Sequence, residues 1–171
     1  MNIFELKIWD DERSKCTFYT VQWIDTEISE TDKFLIRYET SHSDAIQQLL
    51  SFILKAVGED HGAVDALFNR FENEVVGLPN KGNARLGEFK YHYPEFPLRL
   101  YALKITDNIV VLFDGGVKDG PTNQASSLQG KWQEACHFAK RILEEIRDKN
   151  IQVDEYNKLL TNHLGESEII I

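Results

Sequence analysis

Cysteine is almost missing from this chain of 171 residues: there are two, Cys16 and Cys136, far apart and outside any Cys-x-x-Cys pair. That excludes a disulfide framework and argues against a structural zinc site. Both are expected as reduced thiols, with Cys136 a small core residue inside an apolar helical pattern. No run approaches the roughly 18 apolar residues that span a bilayer. Met1 to Asp11 has neither a basic leader nor an apolar stretch of signal-peptide length. A soluble cytoplasmic protein is the expectation. Positive charge is also scarce, with 19 Lys and Arg against 28 Asp and Glu for a net charge of -9. Affinity for a phosphate backbone comes chiefly from Lys and Arg, so the whole-chain charge argues against free DNA or RNA as a ligand. Phosphate-cradling, dinucleotide-binding, zinc-protease and nucleophile-elbow motifs are missing. The histidines His42, His61, His92, His137 and His163 are scattered without metal-ligand spacing, and neither a metal nor a cofactor is expected.

The remaining composition, 42% hydrophobic and 27% charged, is that of an ordinary globular protein. The length suits one domain, burying roughly 70% of the surface of the unfolded chain. The expected class is α+β, an antiparallel sheet with helices packed on one side. Phe4, Leu6 and Ile8, then Tyr19, Val21 and Trp23, then Phe34, Ile36 and Tyr38 alternate with period two, which predicts a meander of three strands. The period changes at Ser43, read as an N-cap with Asp44 in the first turn. Ala45, Leu49, Phe52, Ile53 and Ala56 follow at helical spacing. Gly58 to Gly62 breaks this run, and Val64, Leu67, Phe68, Phe71 and Val75 predict a second helix, completing an αα-hairpin.

Gly77 to Asn83 has the composition of a loop, and Arg85 to Tyr93 predicts one strand, limited by Pro94 and Pro97. Leu98–Ile105 and Ile109–Phe113 then flank Thr106-Asp107-Asn108 as a hairpin. Ile109 to Phe113 is apolar throughout and predicts a central strand buried on both faces. Along its partner, Arg99, Tyr101 and Leu103 point one way and Leu100, Ala102 and Lys104 the other. Gly115-Gly116 and Gly120-Pro121 are expected to end the strand, and Thr122 to Ser127 to form a polar loop. Trp132, Ala135, Ala139, Ile142 and Ile146 predict a helix over 128–148, and a weaker one is expected over 154–163. The closing Glu168-Ile169-Ile170-Ile171 is expected either to add an edge strand or to make a homodimer contact.

Charge is uneven along the chain. Between Arg85 and Lys118, five basic residues (Arg85, Lys90, Arg99, Lys104, Lys118) face four acids (Glu88, Glu95, Asp107, Asp114), an almost neutral stretch inside an acidic chain. Its second half, PLRLYALKITDNIVVLFDGGVK from Pro97 to Lys118, joins an arginine-bearing strand, a tight turn, an apolar strand and a Gly-Gly-Val-Lys stretch that leads to a closing helix. In this order of elements the chain resembles the RelE/ParE superfamily of bacterial toxins, over roughly residues 44–148.

The resemblance implies a toxin-like core over 43–148, a strand-rich N-terminal extension over 1–42 and a C-terminal helix and tail over 149–171, all within one domain. It implies a toxin of a toxin–antitoxin system, with an antitoxin or another protein as partner and the ribosome or messenger RNA as target. The activity implied is metal-independent endoribonuclease action. In that role Arg99 would hold the phosphate with its planar fork, Lys118 would offset developing charge, and Tyr101 would stack a base or relay a proton, with Lys104 and Arg85 as further candidates. A different class of function fits the same scaffold: a non-catalytic module that binds a protein through its sheet edge or tail. Arg99 and Lys104 would then be solvated or edge-protecting cations.

Overall fold

The computed structural model of the protein describes residues 2–118 and 128–171; the expected breaks at Gly120-Pro121 and 122–127 lie outside them. The first hairpin forms as its alternation predicts. β1 (Phe4–Asp10) and β2 (Thr17–Trp23) pair antiparallel in the register Leu6↔Val21 and Ile8↔Tyr19. The third strand of the expected meander is a helix instead, α1 (Glu30–Tyr38). Its start is fixed by Ser29, whose Oγ accepts from the Asp32 N–H at 3.1 Å, with Glu30 and Asp32 in the first turn. The apparent alternation of Phe34, Ile36 and Tyr38 is an i, i+4 pair with an exposed residue between. The Phe34 and Tyr38 rings meet at 5.3 Å, whereas Ile36 is 55% exposed.

The helix predicted from Ser43 is present as α2 (Ser43–Ser51), with His42 rather than Ser43 at the N-cap. It runs on as a π-helical segment, Phe52–His61, that passes through Gly58 and ends at Gly62. Ala45, Leu49, Phe52, Ile53 and Ala56 are all buried, as their spacing requires. The second helix of the expected αα-hairpin does not form. A single turn, with the Leu67 and Phe68 N–H groups on the Val64 carbonyl, leads into β3 (Phe71–Glu72) and β4 (Val75–Leu78). Asn73 at φ 63° makes the tight turn between them, a conformation asparagine tolerates and most residues avoid. Part of the expected loop at 77–83 is therefore strand.

The predicted strand at 85–93 is folded at Gly87 into a separate hairpin of β5 (Asn83–Leu86) and β6 (Phe89–His92). β7 (Leu98–Thr106) and β8 (Ile109–Val117) form the predicted central hairpin. Gly115 and Gly116 do not end β8 but stay inside it, opposite Leu100 and Arg99. A Cβ at Gly115 would strike the Arg99 carbonyl oxygen, so glycine lets the two backbones approach at this irregular register. α3 (Gln129–Arg147) matches the predicted closing helix. The weaker helix expected after it is a hairpin of β9 (Ile151–Asp154) and β10 (Leu159–Asn162), turned where Asp154 accepts from both Asn157 nitrogens. The tail adds an edge strand, β11 (Ile169–Ile170), to β1.

The main sheet has seven strands in the order β11-β1-β2-β8-β7-β4-β3. All pairs are antiparallel except β2 with β8, which run parallel from Thr17↔Ile109 to Thr20↔Leu112. Helices cover both faces rather than the single face expected, because alternate residues of β7 and β8 are apolar in both directions. Leu98, Leu100, Ala102, Val110 and Leu112 pack with Phe34, α2 and its π-helical continuation. Tyr101, Leu103, Ile109, Val111 and Phe113 pack with Ala135, Phe138, Ala139 and Ile142 of α3. Among the described residues no helix is long and apolar enough to cross a membrane.

Candidate functional site

Sheet register decides which cations can meet. Tyr101 lies opposite Gly77, and the Gly77 N–H donates to the Arg70 carbonyl at 2.9 Å. Arg70, Gly77 and Tyr101 thus form one cross-strand row, and side chains of one row emerge on one face. Arg99 precedes Tyr101 by two residues and shares that face, the one covered by α3. Gly77 puts nothing into the middle of the row. A Cβ there would lie 2.8 Å from the Arg99 Cδ and 3.0 Å from the Arg70 Cδ, so the two Cδ atoms are at most about 5.8 Å apart. The aliphatic stems of both arginines fill the space the glycine leaves. The start of α3 closes over this end of the sheet, with the Trp132 indole donating to the Glu72 carbonyl at 3.1 Å.

Arg99 is only 5% exposed, and among the described residues its guanidinium makes no hydrogen bond or ion pair. Burial, and then repulsion from Arg70, lowers its pKa to about 10, partly offset by Tyr101 and Glu72. It stays charged at neutral pH. Burial also lowers the pKa of Arg70, against the pull of Glu72 and Tyr101; its Nε donates to the Pro79 carbonyl at 3.4 Å. A guanidinium carries five donors in a planar fork matched to phosphate and carboxylate. Two of them side by side, one lacking a partner among the described residues, have the chemistry to hold an oxyanion.

Two other cations of this region, Arg37 and Lys131, are already paired with a carboxylate. At the end of β8, buried Asp114 takes a bidentate pair from Arg37 at 2.9 and 3.0 Å and a further bond from Lys131 at 2.9 Å. Burial alone would raise the Asp114 pKa; the hydrogen bonds from Arg37, the Gly115 N–H and Lys131 outweigh it and hold the carboxyl below its usual range. Beside it, burial and the neighbouring Glu30 carboxyl push Glu134 up to about 7.

The five residues singled out from the sequence separate into two groups. Arg99 and Tyr101 sit together on the α3 face, and the Lys118 backbone follows at the same end, its N–H on the Pro97 carbonyl at 2.8 Å. Tyr101 is fully buried, so a base cannot stack on it. Lys104 stands toward the other end of β7, bound to Asp65 at 2.9 Å and Asp107 at 2.7 Å. Burial pulls its pKa down and these hydrogen bonds more than restore it. Arg85 is exposed on the separate β5–β6 hairpin. Arg70 was not legible as a site residue because its segment reads as helix; a turn at Asn73 followed by the glycine at position 77 was the available signal. Comparison of the chain with protein-family models, with curated proteins and with solved structures finds no match in any of the three.

Proposed function

We propose that the Arg70–Arg99 pair binds a phosphodiester and that the protein is a toxin-like endoribonuclease of RelE/ParE type. The observation that carries this reading is the guanidinium of Arg99, in a side chain only 5% exposed and beside a second cation. Such an arrangement disfavours folding and favours an anion. In the proposed reaction the ribose 2′-oxygen attacks phosphorus and the bond to the 5′-oxygen breaks, leaving a 2′,3′-cyclic phosphate and a 5′-hydroxyl. Arg99 and Arg70 hold the non-bridging oxygens and offset the added negative charge. Glu72, whose carboxylate acts on both guanidiniums, takes the 2′-hydroxyl proton. Lys118 offsets charge on the leaving oxygen, which takes its proton from solvent.

The test is induced expression in a bacterial host of wild type and of the Arg70→Ala, Arg99→Ala double variant, following growth and the integrity of messenger RNA. Arrest with cut messages in wild type, and neither in a variant whose circular dichroism is unchanged, supports the reading. A harmless wild type with intact messages contradicts it. A protein-binding role draws on Phe71, 60% exposed on edge strand β3 next to Arg70. In that reading a partner's carboxylate fills the arginine pair and no RNA is cut.

A further inference from the structure

Strand register puts an acid beside the arginine pair, and its charge bears on which anions can enter. In β3, Phe71 lies opposite Val76 and Glu72 opposite Val75. Val76 packs on the α2 side of the sheet and Val75 on the α3 side. Side chains paired across strands share a face. Glu72 therefore projects on the α3 face, two residues from Arg70 and on the same side, and Arg99 reaches Arg70 across Gly77. The three are unequally sheltered. Arg99 lies deepest at 5% exposure, whereas Arg70 and Glu72 are half-buried at the edge strand, next to exposed Phe71. The site thus opens toward the β3 edge.

Besides each other, the two guanidiniums feel Glu72 and Tyr101, and a phenol carries no charge near neutral pH. Lys118, although at the same end of the sheet, is not among the charges that reach them. Two cations and one carboxylate leave a single positive charge. A singly charged oxyanion brings this group to neutrality. A dianion would leave a net negative charge next to a carboxylate. The cost of taking an ion out of water grows with the square of its charge, whereas its attraction to the pair grows only in proportion, so a half-buried site discriminates between them.

We propose that Glu72 sets the specificity of the arginine site, restricting it to singly charged oxyanions, so that a phosphodiester is accepted and a dianionic terminal phosphate refused. This rests on the reading of Arg70 and Arg99 as a phosphodiester site and deepens it: the phosphate bound is an internal one, esterified on both sides, and not a free chain end. Glu72 is here a specificity-determining residue. Replacing it with uncharged glutamine keeps its size and turns a site of one positive charge into a site of two, which suits a dianion.

The test is thermal unfolding of the full chain in increasing dimethyl phosphate, methyl phosphate or acetate, at matched ionic strength and about pH 8, where a phosphate monoester carries nearly two charges. The dependence of Tm on each anion gives its Kd. Wild type should bind dimethyl phosphate at least about tenfold more tightly than methyl phosphate, and Glu72→Gln should reverse that order. A glutamate with a structural role alone would weaken all three anions together and reverse nothing. The comparison within wild type needs no variant to fold. Methyl phosphate bound by wild type as tightly as dimethyl phosphate, or an unchanged order in Glu72→Gln, would overturn the role of Glu72 and leave the anion site standing. Acetate bound more tightly than dimethyl phosphate would overturn the phosphodiester reading alone. Stabilisation by none of the three would overturn both.

Discussion

Arg99→Met should make the protein more stable. Methionine keeps an unbranched stem of similar reach beside Gly77 and removes a buried charge that has no hydrogen-bonding partner among the described residues. The lowering of the Arg99 pKa to about 10, at about 1.4 kcal/mol per unit, sets roughly 3 kcal/mol against the charged form. Relaxation of the unfolded and mutant states removes part of this, leaving an expected gain of about 2 kcal/mol. For a chain of this size that is a rise in Tm of about 4–8 °C. Urea unfolding followed by the fluorescence of Trp9, Trp23 and Trp132 would read it as a higher midpoint at unchanged slope. Arg37→Met is the contrasting case, since its loss leaves buried Asp114 with Lys131 and the Gly115 N–H as its partners among the described residues. It should lose about 3 kcal/mol or more. If Arg99→Met instead lost more than about 1 kcal/mol, the guanidinium would be a structural element, and a site kept at the expense of stability would be the wrong account.

Gly77→Val puts branched carbon where the stems of Arg70 and Arg99 pass. It should lower stability by about 1–3 kcal/mol and weaken phosphate binding at least tenfold, measured by calorimetry. Glu134 binds its proton more tightly folded than unfolded, so stability should fall as pH rises from about 4.5 to about 7. Lys131 and Lys33 face this cluster as well as Glu30 and Asp114, and Glu134 is half-exposed, which reduces the effect. Glu134→Gln should add about 1 kcal/mol at pH 8 and almost nothing at pH 4.5, by thermal unfolding at both. Deleting Ile169 to Ile171 removes β11, its backbone bonds to Phe4 and the buried Ile169. It should cost about 2–4 kcal/mol and leave the mass in solution unchanged; a halved mass would make the tail a subunit contact.

Where apolar periodicity admitted one reading, the sequence showed the structure. The unbroken Ile109–Phe113 run is the middle of the sheet, and Trp132, Ala135, Ala139, Ile142 and Ile146 mark the buried side of α3. Where a short run satisfied two periods, the cap or turn decided. Ser29 with Asp32 makes α1 of a segment that alternates, and Asn73 makes a hairpin of one with helical spacing. The site was half legible for the same reason. Arg99 and Tyr101 lie on a strand that could be read, whereas Arg70 joins them only through the register of β3, β4 and β7. The burial of Tyr101 depends on α3, which strand alternation does not reveal.

The most direct test of the arginine pair as an oxyanion site is thermal unfolding of wild type and Arg99→Met in inorganic phosphate and in chloride at matched ionic strength. A specific site should stabilise wild type by about 2.7 kcal/mol at a hundredfold excess over Kd, a rise in Tm of about 5–11 °C, and leave Arg99→Met unmoved. Equal shifts in both proteins, or none in wild type, would contradict the claim that this buried guanidinium is held for an anion.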